Sequence, residues 1–128
     1  MVEGIPAAQF DEHAARIRPH LERIERHDKD GVTAAEYERE IWARNLQVWS
    51  LGDFEAIAIT RVTRDAVRLE WVVGRNRHHW QDQLDTELRI WGKALGKKRF
   101  LVLARPGWAA LAKKRGCREI QRAYEVRL

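Results

Sequence analysis

The chain has 128 residues, 45% of them hydrophobic, and one cysteine. That size predicts a single domain over residues 1–128 with one ordinary core, and a lone Cys117 excludes an internal disulfide framework. Lys and Arg outnumber Asp and Glu by 24 to 19, net +5; the totals read as a modest excess spread over the chain, short of the clustered basic footprint of a dedicated nucleic-acid binder.

In chain order, Phe10, Ala14, Ile17, Leu21 and Ile24 step by four and three, the spacing of one apolar helical face. Pro19 falls inside that pattern and predicts a kink or a split into two helices, because it lacks an N–H and crowds the preceding turn. "HDKDG" (27–31) reads as a solvated loop. Thr33 followed by Glu36 is a capping-box signature, and Tyr37 and Ile41 continue a second helix with Trp42 alongside.

Near Leu46 the period changes. "LQVWSLGDFEAIAITRV" predicts two strands joined at Gly52-Asp53. The second, "FEAIAIT", is apolar on both alternating faces and should be central. After "TRD" (63–65), Val67, Leu69, Trp71 and Val73 alternate with Arg68 and Glu70, the pattern of a strand with one packed face.

Trp80, Leu84, Leu88, Trp91 and Leu95 mark a third helix ended by Gly96. "RFLVLA" (99–104) predicts a short buried strand, "RPGWAALAKKRG" a helix with Pro106 near its start, and "REIQRAYEVRL" a last strand. The order is α-α-β-β-β-α-β-α-β, an α/β fold with a mixed, mostly antiparallel sheet flanked by helices. No apolar run approaches the ~20 residues of a membrane span. "MVEGIPAAQFDEH" lacks the basic head and apolar core of a signal peptide. Both predict a cytoplasmic protein, or one released only when a cell or particle opens.

That order, with the stretch "WGKALGKKRFLVL" followed by "GWAALAKKRGCREI", resembles the GNAT superfamily of acyl-CoA-dependent N-acyltransferases. The likeness covers roughly residues 8–128 and is most specific over 91–120, where "ARPGWAALAKKRGC" is similar to an ending found in small GNAT-like proteins of phages and prophages. The resemblance implies that an acyl-CoA diphosphate lies at the N-terminus of the helix after the third strand. Backbone N–H groups of a turn of form Arg/Gln-x-x-Gly-x-Gly/Ala hold it there, aided by the helix dipole.

In this sequence that turn falls on Asn76, Arg77, His78, His79, Trp80 and Gln81. The first position is Asn76, and the two glycine positions hold His79 and Gln81. Losing three amide–phosphate bonds would cost about 4.5 kcal/mol or more, partly recoverable through Arg75, Arg77 and His78. The turn therefore reads as filled in by side chains, with Trp80 either plugging the cleft or meeting a partner. The family's usual tyrosine acid matches Ala112 here, Cys117 stands where Phe would, and Tyr124 is in another element. Glu70, on the strand before the turn, matches the place from which a general base often comes.

The replaced turn and missing tyrosine point first to a GNAT-fold protein that has lost acyl transfer and works as a binding or structural module, needing no cofactor. The phage-like ending extends this to a virion component or assembly factor, such as a head–tail or internal protein. Its partners would be phage structural proteins or copies of itself, met through Trp80, Trp108, Lys113, Lys114 and Arg115. The alternative is a divergent acyl-CoA-dependent N-acyltransferase using acetyl-CoA and Glu70 or water as base. A second alternative is a nucleic-acid-associated protein using the basic rim of Lys113, Lys114, Arg115 and Arg118 with Lys97, Lys98 and Arg99. Adjacent His78 and His79 diverge and lack the spacing of a metal site.

Overall fold

The computed structural model describes residues 1–103, so the sequence-predicted helix over 105–116 and last strand over 118–128 lie outside the described residues. The first helix, α1 (Phe10–His27), follows a short 3-10 turn at Ala7–Gln9 and buries Phe10, Ala14, Ile17, Leu21 and Ile24. The split expected at Pro19 does not occur: α1 runs through it unbroken. Ile17 and Leu21, on either side, are both buried at 0–1% exposure. Keeping them on one face offsets the hydrogen bond that proline removes.

Helix α2 (Ala34–Trp42) begins where Thr33 accepts a hydrogen bond from Glu36 N on its Oγ1 at 3.1 Å, and it buries Tyr37 and Ile41. Trp42 stays 43% exposed, its ring 5.6 Å from that of Phe10.

Five strands form one sheet in the order β1-β2-β3-β4-β5. They are β1 (Val2–Ile5), β2 (Gln47–Leu51), β3 (Ala56–Val62), β4 (Ala66–Gly74) and β5 (Arg99–Val102). All neighbours are antiparallel except β4 and β5, which are parallel and joined through helix α3 (Arg77–Ala94). This is the mixed, mostly antiparallel architecture expected, with one strand more. The sequence pattern does not predict β1: it has four residues, and one is Gly4, which faces Trp49 on β2. A Cβ there would come within 3.3 Å of the Trp49 ring. The glycine that hides the strand in the sequence is what lets the indole lie across it.

β3 is central, as its apolar pattern predicts, with Ala56 through Thr60 all at 0% exposure. Its isoleucines, Ile57 and Ile59, pack with Val48, Val73 and the apolar stripes of α1 and α2. Its alanines, Ala56 and Ala58, face the other way and pack with Leu51, Leu69 and the α3 residues Trp80, Leu84 and Leu88. Small residues on that face leave room for the bulky ones above. β5 is half-buried rather than buried, because described structure covers it on fewer sides than β3.

The chain is tightest on either side of β3. The β2–β3 connection takes three consecutive left-handed residues, Gly52, Asp53 and Phe54 (φ +57°, +54° and +67°). α1 holds it: the Arg16 guanidinium lies 4.3 Å from the Phe54 ring, and His20 Nε2 donates to Phe54 O at 2.9 Å. At the end of β4, Gly74 (φ +135°) passes so close to β3 that a Cβ would sit 2.3 Å from Ala56 Cα.

Candidate functional site

The parallel pairing of β4 with β5 is short. It runs from Ala66 opposite Arg99 to Leu69 opposite Val102, and Leu103 N donates to Leu69 O at 3.0 Å. Glu70–Gly74 of β4 continue past this point with no β5 partner among the described residues. The ladder to β3 slips at the same level: Ile59 faces Trp71 and Thr60 faces Leu69. Glu70 is thus an extra, bulged residue, and bulges re-aim side chains. Among the described residues the β4–β5 pairing ends, as a fork in the sheet, at the level of the bulge. Against the fork, a cavity of about 50 Å3 lies between Leu69, Phe100 and Val102 of the sheet and Gln81, Leu84 and Leu88 of α3.

Glu70 sits on the edge of this fork with its side chain 13% exposed. Its Oε2 accepts from Arg61 Nε at 3.0 Å and lies 3.7 Å from Arg68 Nη2. Next to it, Trp71 Nε1 donates to the Tyr37 hydroxyl at 2.9 Å, and that hydroxyl donates in turn to Asp28 Oδ2. Burial, then the Asp28 hydrogen bond and charge, push the Tyr37 phenol well above the usual tyrosine range, and Glu70 adds to the shift. Tyr37 is therefore a fixed, neutral link between α2 and the bulge. Neither it nor the two arginines stand out in the sequence.

The start of α3 differs from expectation. Gly74 and Arg75 through His79 are all exposed. Trp80 is not: at 2% exposure it turns inward with Leu84 and Leu88, and its Nε1 donates to Arg75 O at 2.9 Å. The indole belongs to the core beneath Gly52 and presents no surface to a partner protein. His78 and His79 contact each other edge to face, with ring centres 4.3 Å apart. Gln81 lines the cavity at the fork.

Asn76 is left-handed (φ 60°), gives α3 no side-chain cap, and donates through Nδ2 to Glu55 Oε2; Arg75 N also donates to Glu55 O at 3.0 Å. The first turn of α3 contains no acidic residue. The helix start is exposed to solvent, positive by its dipole, and carries the side chains of Arg75, Arg77, His78 and His79. Gly74 permits the close approach of two strands.

The charge is also less evenly spread than the totals suggest. Residues 1–60 hold 7 of the 24 basic and 12 of the 19 acidic side chains, net −5, which leaves 17 and 7, net +10, for residues 61–128. The basic half is the one that builds the fork and the start of α3. Part of the anticipated rim is tied down: Lys97 Nζ donates to Arg64 O at 3.2 Å, and Arg99 pairs with Asp65 at 3.1 Å, holding that carboxyl below its usual range. Trp108, Ala112, Lys113, Lys114, Arg115, Cys117, Arg118 and Tyr124 lie outside the described residues. Among the described residues, no group of three or more His, Cys, Asp or Glu could hold a metal ion, and no helix is long and apolar enough to cross a membrane.

No family model matches the sequence, and no curated protein does. Solved structures do match the fold. An aminoglycoside N-acetyltransferase, AAC(6')-Iy, in complex with CoA superposes with a TM-score of 0.71 at 15% identity, covering 100% of this chain and 93% of that one. A probable acetyltransferase gives 0.75 at 12% identity, covering 100% and 97%. A ribosomal-protein-alanine N-acetyltransferase from Brucella melitensis biovar Abortus 2308 gives 0.69 at 10% identity, covering 100% and 99%. At such identities the likeness is one of fold: five strands, mostly antiparallel, with flanking helices arranged as in the GNAT N-acetyltransferases.

Proposed function

We propose that the protein is an acyl-CoA-dependent N-acyltransferase, the reading given second place by the sequence alone. The observation that carries it is the bulge of Glu70, which follows the last β4–β5 pair among the described residues, Leu69 with Val102, and lies on the strand that leads to an uncapped, acid-free helix start.

The residues present fit the cofactor in a modified way. Without glycines at 79 and 81, the diphosphate would rest on the α3 dipole and on Arg75, Arg77, His78 and His79. Hydrogen bonds from charged groups are worth about 1.5–3 kcal/mol each, so two or three such contacts offset what the missing amide contacts cost. Among the described residues, the edge of Glu70–Gly74 has no β5 partner and offers backbone groups to an extended ligand arm, with the cavity lined by Leu69 and Phe100 at its start. Bound acyl-CoA supplies an activated thioester. Overall, thioester and amine give amide and thiol. Glu70 is the carboxylate placed to take the proton released by the amine, and Arg61 keeps it oriented. Tyr37, committed to Asp28, holds the bulge and donates no proton to the reaction.

The test is thermal unfolding with CoA. A ligand at a hundred times its Kd adds about 2.7 kcal/mol, which is about 10 °C for a chain of this length. Acetyl transfer from labelled acetyl-CoA to an amine should accompany it. No shift with millimolar CoA would overturn the proposal. It would favour the other reading, a binding module without transfer, whose support is the loss of the glycine turn at His79 and Gln81. The virion or assembly role anticipated from the phage-like ending gains no support from the structural neighbours, which are acetyltransferases.

A further inference from the structure

Arg61 on β3 and Arg68 on β4 are directly opposite each other in the antiparallel ladder. Like charges in that position destabilise a sheet, and among the described residues one carboxylate, Glu70, pairs with both. Both arginines converge on a single atom, Glu70 Oε2, at 3.0 and 3.7 Å. The longer of these is an ion pair rather than a hydrogen bond. Among the described residues, Glu70 Oε1 has no partner, nor do the terminal nitrogens of Arg61. The two arginine side chains remain 36% and 34% exposed. The carboxylate of Asp28 accepts from Asp30 N at 2.8 Å and from Tyr37, and the ion pairs of Arg61 and Arg68 among the described residues are with Glu70. Among the described residues, two guanidinium groups thus share one carboxylate as their ion-pair partner, with donors to spare beside it.

Resting on the acyltransferase reading, we infer that the acceptor is an amine that carries its own anionic group, a carboxylate or a phosphate. The amine meets Glu70 Oε1 while the anion lies against Arg61 and Arg68. The planar guanidinium suits either anion, since both accept two parallel N–H bonds from it. An acceptor of this kind brings a second negative charge to two facing guanidiniums that share one carboxylate among the described residues. A plain alkylamine or a polyamine brings more positive charge to the same place and is disfavoured.

Two matched pairs of probes test this: phenylalanine against phenethylamine, and phosphoethanolamine against ethanolamine. Arginine Nε–H resonances are followed first on the full chain without CoA, then acetyl transfer is measured with labelled acetyl-CoA. One acidic member should shift the Arg61 Nε–H signal and be acetylated about tenfold or more better than its partner. Which pair responds identifies carboxylate or phosphate. Arg61→Gln should bring the ratio to about one while CoA still raises the melting temperature, and Arg68→Gln serves if that variant fails to fold. If CoA stabilises the wild type but neither acidic probe moves the Arg61 signal or outperforms its partner, this inference falls and the acyltransferase reading stands. If CoA does not bind at all, both fall.

Discussion

Replacing Gly74 with alanine separates two roles that a glycine at this strand–helix junction could have. The added Cβ would lie 2.3 Å from Ala56 Cα, 2.4 Å from Ala56 Cβ and 2.5 Å from Glu55 O, at a φ of +135°. Non-bonded carbons sit about 3.5–4.0 Å apart, so β3 and β4 must separate by more than about 1 Å. That movement disturbs the Arg75 N to Glu55 O bond at 3.0 Å and the pairing of Ala56 with Gly74. The backbone region costs about 1–3 kcal/mol for a residue with a side chain, and overpacking a tight contact about 1–3 more. About 4 kcal/mol in all lowers the melting temperature by about 15 °C for this length, read by circular dichroism. Gly96→Ala, with a φ of +74° and nothing within 4 Å of its added carbon, is the control and should lose only about 1 kcal/mol. A Gly74→Ala protein that melts normally but loses only CoA affinity would refute the argument, because it would show a phosphate glycine rather than a strand contact.

Side-chain contacts of α2 carry two further expectations. Tyr37→Phe removes the hydrogen bonds from Tyr37 to Asp28 Oδ2 and from Trp71 Nε1 to Tyr37 and should cost about 1–3 kcal/mol. It should also remove an alkaline dependence. The native phenol titrates above its ordinary value of 10.0, so the unfolded chain gives up its proton first. The stabilisation is complete below pH 10 and is lost as the pH rises beyond it. Urea unfolding at pH 8 and above pH 10 should show this fall in the wild type and not in the variant; equal slopes would refute it. Thr33→Ala removes the cap on Glu36 N and should cost about 1 kcal/mol, whereas Thr33→Ser should restore it.

The helices are legible in the sequence because periodicity reports burial directly: all five apolar positions of α1 and three of α3 are the ones buried. β3 is legible for the same reason. Trp80 shows the limit of reasoning by motif. Its spacing with Leu84 and Leu88 places it on the packed stripe, but its position in the phosphate turn suggests a cleft plug or contact surface. The stripe wins. β1 is hidden by Gly4, whose reason to be a glycine is a tryptophan 45 residues later in the chain. Arg61, Arg68 and Glu70 are unreadable as a set because the bulge decides which side chains share a face. A slip of one residue in a ladder leaves no periodic trace.

The order of the strands has a consequence for synthesis. β2, β3 and β4 are neighbours both in the sheet and along the chain, so their two hairpins close short loops and can zip as soon as Gly74 leaves the ribosome. β1 emerges first yet finds its partner only after α1 and α2 have been made. Until then its four-residue edge is an orphan, too short and too glycine-broken to recruit a stranger's strand. β5 has to wait for all of α3, because parallel pairing demands a crossover. The fork is thus assembled late, on a scaffold already formed, and slow maturation of ligand binding after early β-sheet signal would be its kinetic trace.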